Sequence, residues 1–531
     1  CACVRRFWRA HPLSRLGCPA AMAPREECDD RGASDFDTSG VAVEELAKLG
    51  GKTAVARRDF KAGEQVFREQ ALVIAGAATN LSRLRAYLAL PQGQRATLRE
   101  QFWGEAPLVR CAATAACRSD AAQTGDSAAE VLAVLRAEGH EGVELSEVEA
   151  VIRVWNLNAY DNALANVACK VAHSCAPNVS VRVDAQAGVI EAVACRPIAA
   201  GESLGSWYFQ DTGLWWMGAD VRRAVFETDR GFVCQCDRCR EPDACRAVPC
   251  GSCGGGAVTP QAAGGPAAAW RCGDCGRASA GDALQLAAEA EIVPRVLLEL
   301  RPPRGAAAGA AKRATLEELT VLAAGARDRL GPSHWAAAGA LLVLHYRGRG
   351  AGGALDRFTA AAGCRFLGWL AGRRLPWPPA SVVRTPVAVA LDCASFLAFP
   401  APSAAAGAAG PAPLDGRCVA ARVLVDFLLP VFDASGATIA AVAGTGARVE
   451  RLRAWLAALR TTCGRCGQPC SAGGGRGGAS AASACGRCRQ VRYCSRECQQ
   501  ADWKARHKLG CLAASETLAG EASWSILAPI A

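Results

Sequence analysis

The sequence predicts an α+β fold: a small β core stapled by metal, a long helical region, and a compact cysteine-rich module at the C-terminal end. Three observations lead there. Short apolar runs separated by glycine-containing turns occupy much of 41–210. Cysteines recur in C-x-C-x2-C and C-x2-C spacing, which suits tetrahedral zinc. Between 281 and 460, apolar residues recur every three to four positions, the helical period. The regions read as a lead-in at 1–40, a β core at 41–210 with a helical insertion at 76–150, and a cysteine cluster with a zinc ribbon at 211–280. A helical domain at 281–460, a cysteine module at 461–511 and a tail at 512–531 follow.

Residues 1–25 hold five arginines and no acid, and read as a targeting-like or disordered lead-in. The chain opens on Cys1, so its natural start is expected upstream or at Met22. From 41 to 75 the pattern reads as a helix end and two strands, with Lys61-Ala62-Gly63-Glu64 as the turn. Residues 76–150 read as short helices. Asn80 and Ser127 are expected N-caps, and Ser146-x-x-Glu149 is expected to be a capping box. Val179, Val181 and Val183 alternate with polar residues ahead of the turn 184–188, and 189–194 is mostly apolar, as in a hairpin.

One cysteine in an apolar stretch, Cys175, followed by Cys234, Cys236 and Cys239 gives the four thiolates of a closed zinc site. Cys250-x2-Cys253 and Cys272-x2-Cys275 form a second, ribbon-like set, with Cys245 as a spare. In the helical region Thr315-x-x-Glu318 is a capping box, His334 starts a helix after the turn Gly331-Pro332-Ser333, and 400–413 is a Pro/Ala/Gly linker. The last module carries Cys463, Cys466, Cys485, Cys488, Cys494, Cys498, His507 and Cys511, interrupted by a glycine-rich insert at 471–484; Cys470 has no slot.

Composition bounds the function. The 531 residues are 51% hydrophobic, but alanine and glycine are so common that alanine runs carry little information. The longest apolar candidate, 385–399, is interrupted by Asp392 and falls short of the ~18 residues a membrane span needs. Twenty-eight cysteines, many in metal-ligand spacing, point to reduced thiolates and hence to cytosol or nucleus. The formal charge of +10 drops to about +3 when fifteen metal-bound thiolates are set against the eight positive charges of four zinc ions. That balance, with no basic recognition helix, disfavours direct nucleic-acid binding.

Ala172-His173-Ser174-Cys175-Ala176-Pro177-Asn178, the later Tyr208 and the ending at 231–239 together resemble the core of SET-domain protein-lysine methyltransferases. Within them the match is to the SET-and-MYND (SMYD) group, whose helical C-terminal domain is tetratricopeptide-like. The resemblance implies a SET-type, pseudoknot-like β core with a post-SET zinc site, S-adenosylmethionine as cofactor and a protein lysine as substrate. Tyr208 would be the catalytic channel residue. Gly51, Lys52, Asn158, Ala172, His173 and Phe232 would form the cofactor site, with Lys52 on its carboxylate and Phe232 on its adenine. Trp207, Phe209, Trp215 and Trp216 would either wall the lysine channel or fill the core.

The C-terminal module resembles a MYND finger, whose interleaved ligand order would give Cys463, Cys466, Cys494 and Cys498 one zinc and Cys485, Cys488, His507 and Cys511 another. Such fingers bind short, often proline-containing peptides of a partner protein. The group usually carries this finger within the interval 76–150, where only Cys111 and Cys117 occur here, so the finger is relocated. Two positions depart from the SET pattern: Thr53 replaces the second glycine of G-x-G, and Ala172 replaces an asparagine that bonds the cofactor. Both raise the alternative of an inactive SET-MYND scaffold that only binds partners.

Overall fold

The computed structural model describes residues 36–46, 51–102, 127–208, 214–254, 257–261, 269–280, 283–300, 313–350, 355–373, 384–399, 416–429, 445–470 and 483–515. The lead-in at 1–35, Cys111, Cys117, Phe209, the linker 400–413, most of the insert 471–484 and the tail from 516 lie outside the described residues.

The core opens with strands β1 (Val41–Leu46) and β2 (Gly51–Ala56), paired antiparallel from Val41↔Ala56 to Leu46↔Gly51. The helix end expected near residue 41 is therefore a strand. Ladder pairing to β2 outweighs the helix-forming residues of its second half. Strand β3 (Gln65–Gln70) and β4 (Val73–Ile74) follow the predicted turn. Helices α1 (Asn80–Leu88), α2 (Gln92–Phe102), α3 (Ala128–Ala137) and α4 (Leu145–Asn158) make the insertion. Ser127 caps α3 in a capping box with Glu130. Two expected caps are corrected. Thr79, one residue earlier than Asn80, accepts from the Ser82 N–H. Helix α4 already starts at Leu145 behind Glu144, placing Ser146 inside its first turn, with no side-chain cap.

Strands β5 (Ala163–Leu164), β6 (Ala172–His173), β7 (Val179–Asp184), β8 (Val189–Ala194) and β9 (Gly205–Ser206) complete the core. β7 and β8 form the predicted hairpin, and β3 joins the far edge of β8. β6 and β9 are the only parallel pair of strands among the described residues. The 201–206 segment is held from two sides. Toward β2, Ala56 N–H donates to Glu202 O at 2.9 Å and Leu204 N–H to Ala54 O at 2.8 Å. Toward the other side, Ala172 N–H donates to Leu204 O and Ser174 N–H to Ser206 O. This threading brings Lys52, His173 and Tyr208 to one place.

Asn178 locks the crossing. At 3% exposure, its Oδ1 accepts from Gly205 N–H at 2.7 Å, and its Nδ2 donates to Glu202 Oε1 at 2.8 Å and Ser203 O at 3.0 Å. Gly205 is required because a Cβ there would stand 2.8 Å from the Ser174 Cβ. Asn178→Ala strands several buried partners and is expected to destabilise the fold by roughly 2–4 kcal/mol in denaturant unfolding. An unchanged midpoint would show that the crossing does not depend on this amide.

Helices α5 (Ala219–Arg230) and α6 (Asp237–Arg240) carry the post-core cysteines, and strands β10 (Val248–Pro249), β11 (Ala257–Pro260), β12 (Ala269–Cys272) and β13 (Ala278–Ala280) form one antiparallel sheet around the ribbon cysteines. The helical region is α7 (Ala283–Leu300), α8 (Leu316–Leu330), α9 (Trp335–Arg347), α10 (Arg357–Gly372), α11 (Arg384–Ala398), α12 (Arg417–Arg422) and α13 (Thr445–Thr461). Thr315 and Glu318 form the predicted capping box, and His334 caps α9 by accepting from the Ala336 N–H. From α8 to α12 each helix packs on the next. No helix among the described residues is long and apolar enough to cross a membrane.

The C-terminal module adds β14 (Ser483–Ala484), β15 (Arg492–Tyr493) and α14 (Arg496–Asp502). It is docked on α12. The fully buried Asp502 accepts from Arg417 of α12 at 2.7 Å, from Arg506 at 2.8 Å and from the Tyr493 hydroxyl at 2.8 Å. Arg417 and Arg506 also both donate to Gly464 O. One hydrophobic core runs from Trp207 through the helical region into this module.

Candidate functional site

A cavity of about 780 Å³ opens where the threaded segment meets α5, within the 300–1,000 Å³ range of ligand pockets. Of the residues expected at a cofactor site, Lys52, Ala172, His173, Tyr208 and Phe232 line it, as does Thr53. Gly51 only begins β2. Asn158 is not in the lining: its Nδ2 donates to Val154 O at 2.9 Å, folding the amide back onto α4, while the neighbouring Leu157 faces the cavity. Gly231 ends α5 with φ 74°, a left-handed conformation that glycine takes without strain, and the turn presents Phe232 to the cavity.

His173 is the centre of an aromatic cluster. Its ring centroid lies 5.3 Å from those of Trp207 and Tyr208, 3.9 Å from Phe226 and 6.1 Å from Phe232. Burial holds its pKa down to about 3, so the ring is neutral. Its Nδ1 accepts from the Tyr208 N–H at 3.4 Å, which leaves the Nε2 proton to face the Cys175 sulfur, also at 3.4 Å. The Tyr208 hydroxyl donates to Val171 O at 2.8 Å, and burial pushes its pKa up, keeping it protonated. Tyr160 stands edge-on to Tyr208 with its hydroxyl 2.6 Å from Ser206 Oγ.

Of the aromatics expected at a channel or in the core, Trp215 and Trp216 are core. Trp216 is fully buried against Trp335, Phe366 and Trp369 of the helical region. Trp207 lies behind His173 and off the cavity lining.

All four expected quartets assemble: Cys175, Cys234, Cys236 and Cys239; Cys250, Cys253, Cys272 and Cys275; Cys463, Cys466, Cys494 and Cys498; and Cys485, Cys488, His507 and Cys511. Within each, the ligand atoms lie within 4.8 Å of one another. Tetrahedral zinc with Zn–S bonds near 2.3 Å requires sulfurs about 3.8 Å apart. Cys175 and Cys234 are 3.9 Å apart, Cys250 and Cys275 3.8 Å, Cys494 and Cys498 3.6 Å, and Cys485 and Cys511 3.8 Å. The donors fit zinc.

The buried Arg222 donates to the Cys239 sulfur at 3.5 Å, and Arg238 donates to Cys175 O at 3.0 Å. These cations offset the excess negative charge that four thiolates leave on one zinc. Cys245 and Cys470 stay outside the quartets.

The sequence reading missed several residues that surround the site. Phe226 stacks on Phe232 with centroids 5.3 Å apart, and no motif in the sequence marks it. Arg230 and Lys170 also line the cavity. The Thr53 hydroxyl is buried without a hydrogen-bond partner among the described residues, a polar atom left for a bound group to satisfy.

Residues 51–209 match the SET domain family and residues 463–511 the MYND finger family. The histone-lysine N-methyltransferase SET5 of Meyerozyma guilliermondii is 27% identical over 104 residues, covering 19% of this chain and 21% of that protein. The protein of the same name from Saccharomyces cerevisiae is 26% identical over 100 residues, covering 19% and 18%. The match spans about a fifth of each relative's length. Fold and cysteine sites together define a zinc-stapled α+β protein built around a SET domain. With its C-terminal module, the chain combines a SET domain with a MYND finger.

Proposed function

We propose that the chain is a protein-lysine N-methyltransferase that uses S-adenosylmethionine, acts on histone or non-histone lysines, and engages a proline-containing peptide or protein partner through its MYND finger. The observation that carries this reading is the convergence of Lys52, neutral His173, Tyr208 and Phe232 on one cavity beside a four-thiolate quartet. Four thiolate-rich sites suit a reducing compartment, cytosol or nucleus. The curated relatives named above are histone-lysine methyltransferases, which supports the substrate class.

When bound, S-adenosylmethionine supplies a methyl group on a sulfonium. The protein's part is alignment and exclusion of water. Lys52 can bind the cofactor's carboxylate, and the Phe232 ring can stack on the adenine. Burial among Tyr208, Phe232 and neutral His173 favours an incoming amine in its uncharged, nucleophilic form. Tyr208, held as a neutral hydroxyl by the Val171 carbonyl, can orient that amine.

Elemental analysis of protein purified without chelator is expected to return about four zinc ions per chain. A value near two would leave the sites around Cys175 and Cys250 unmetallated.

Calorimetric titration with S-adenosylmethionine separates the enzyme from the scaffold. Ala172 lies at the cavity, so Ala172→Asn is expected to tighten binding by about 1 kcal/mol, roughly fivefold. Absence of binding in both the parent and this variant would sink the methyltransferase reading and leave the scaffold.

A further inference from the structure

Lys170 ends a tight 3-10 turn, Ala168–Lys170, beside β2. The turn is fixed by the buried Glu69, whose carboxylate accepts from the backbone N–H groups of Asn166 at 3.1 Å, Val167 at 3.1 Å and Ala168 at 2.6 Å. Glu69 is thereby occupied by backbone donors. The Lys170 Nζ sits 4.3 Å above the Phe102 ring of α2, a cation–π contact that aims the side chain.

The charge at this corner is unbalanced. Lys170 and Lys52 both line the cavity, Lys170 half-buried and Lys52 exposed. Neither forms an ion pair with any described residue. The two carboxylates in the lining are engaged elsewhere: Glu202 by Arg196 at 2.6 Å and by Asn178, and Asp237 by Arg240 at 3.3 Å. The half-buried ammonium of Lys170 costs free energy unless a ligand brings an anion to it, and Lys52 on the same lining can share that anion. A carboxylate shared by two ammonium groups is such an anion, and its charge-assisted hydrogen bonds are the stronger kind.

We infer that Lys170 is a second carboxylate-binding residue of the cofactor site, gripping with Lys52 the amino-acid end of S-adenosylmethionine and supplying a cofactor contact two residues upstream of the amide that Ala172 lacks. The inference rests on the methyltransferase reading of the cavity. It explains how a chain with alanine at 172 can retain its cofactor, and it makes affinity depend on the ligand's carboxylate.

The test uses the full chain and two nucleosides, S-adenosylhomocysteine, which keeps the carboxylate, and 5′-methylthioadenosine, which lacks the amino-acid end. Lys170→Met is expected to weaken S-adenosylhomocysteine by roughly 10- to 100-fold, leave methylthioadenosine within about twofold, and be partly rescued by Lys170→Arg. If the variant binds S-adenosylhomocysteine as the parent does, Lys170 does not touch the carboxylate and the inference alone falls. Equal loss of both nucleosides overturns it too, by showing a structural role. If the parent binds neither nucleoside, the methyltransferase reading fails and takes the inference with it.

Discussion

Tyr208→Phe is expected to lower methyl transfer by roughly 10²-fold or more while leaving the fold and the zinc content unchanged. The ring keeps its packing against His173, Tyr160 and Phe232, with centroid distances of 5.3, 6.5 and 6.5 Å. Only the hydroxyl is removed, and with it the bond to the Val171 carbonyl at 2.8 Å. The stability cost of that bond is about 1 kcal/mol. In the proposed mechanism the larger effect falls on turnover, because an amine that loses this hydroxyl loses alignment with the methyl group. The loss should appear in kcat, with cofactor affinity held within a few-fold. Unchanged turnover would remove Tyr208 from the mechanism and send the search to Tyr160, which stands edge-on to it.

Much of this site was legible because zinc and turns leave local marks. C-x-C-x2-C and C-x2-C spacing marks most of the ligands that the structure assembles, while Cys175 follows from its apolar stretch and the resemblance, and the interleaved order of the finger from the resemblance. The capping residues Thr315 and Ser127 are marked by glutamates three positions on, and the structure bears both out. Pattern failed where tertiary contacts overrode it. Ser146-x-x-Glu149 has the letters of a capping box, yet α4 begins one residue before the serine. Trp215 and Trp216 could not be told from channel walls until Trp216 was seen against Trp335 and Phe366. Lys170 carries no motif, because its meaning comes from Lys52 and Phe102, which are distant in sequence and meet it only through the fold. Arg222 is likewise a single charge whose partner sits on another element.

Asp502→Ala is expected to cost roughly 3–5 kcal/mol, because it breaks a buried ion pair from one side. Arg417 would lose its carboxylate partner, and the Tyr493 hydroxyl would lose its acceptor. Neither zinc quartet of the finger includes Asp502, so metal content should hold while the finger loosens from α12 and becomes a substrate for limited proteolysis. Arg417→Ala should lose a similar amount, and the double variant less than the sum, since each single change strands the other's partner. The pH dependence has a definite sign. Burial alone would raise the Asp502 pKa, but the donors of Arg506, Arg417 and Tyr493 outweigh it and hold the carboxyl below its usual range. A depressed folded pKa contributes stability that is present above the unfolded value, about 3.9, and is lost only as pH falls through the lower folded one. The ion pair should therefore persist from pH 8 down to 5. Release of the finger within that window would report thiolate protonation and zinc loss, and should be accompanied by metal in the filtrate. Release at pH 5 with all zinc retained, or an Asp502→Ala finger as protease-resistant as the parent's, would show that Asp502 does not hold the finger to the helical region.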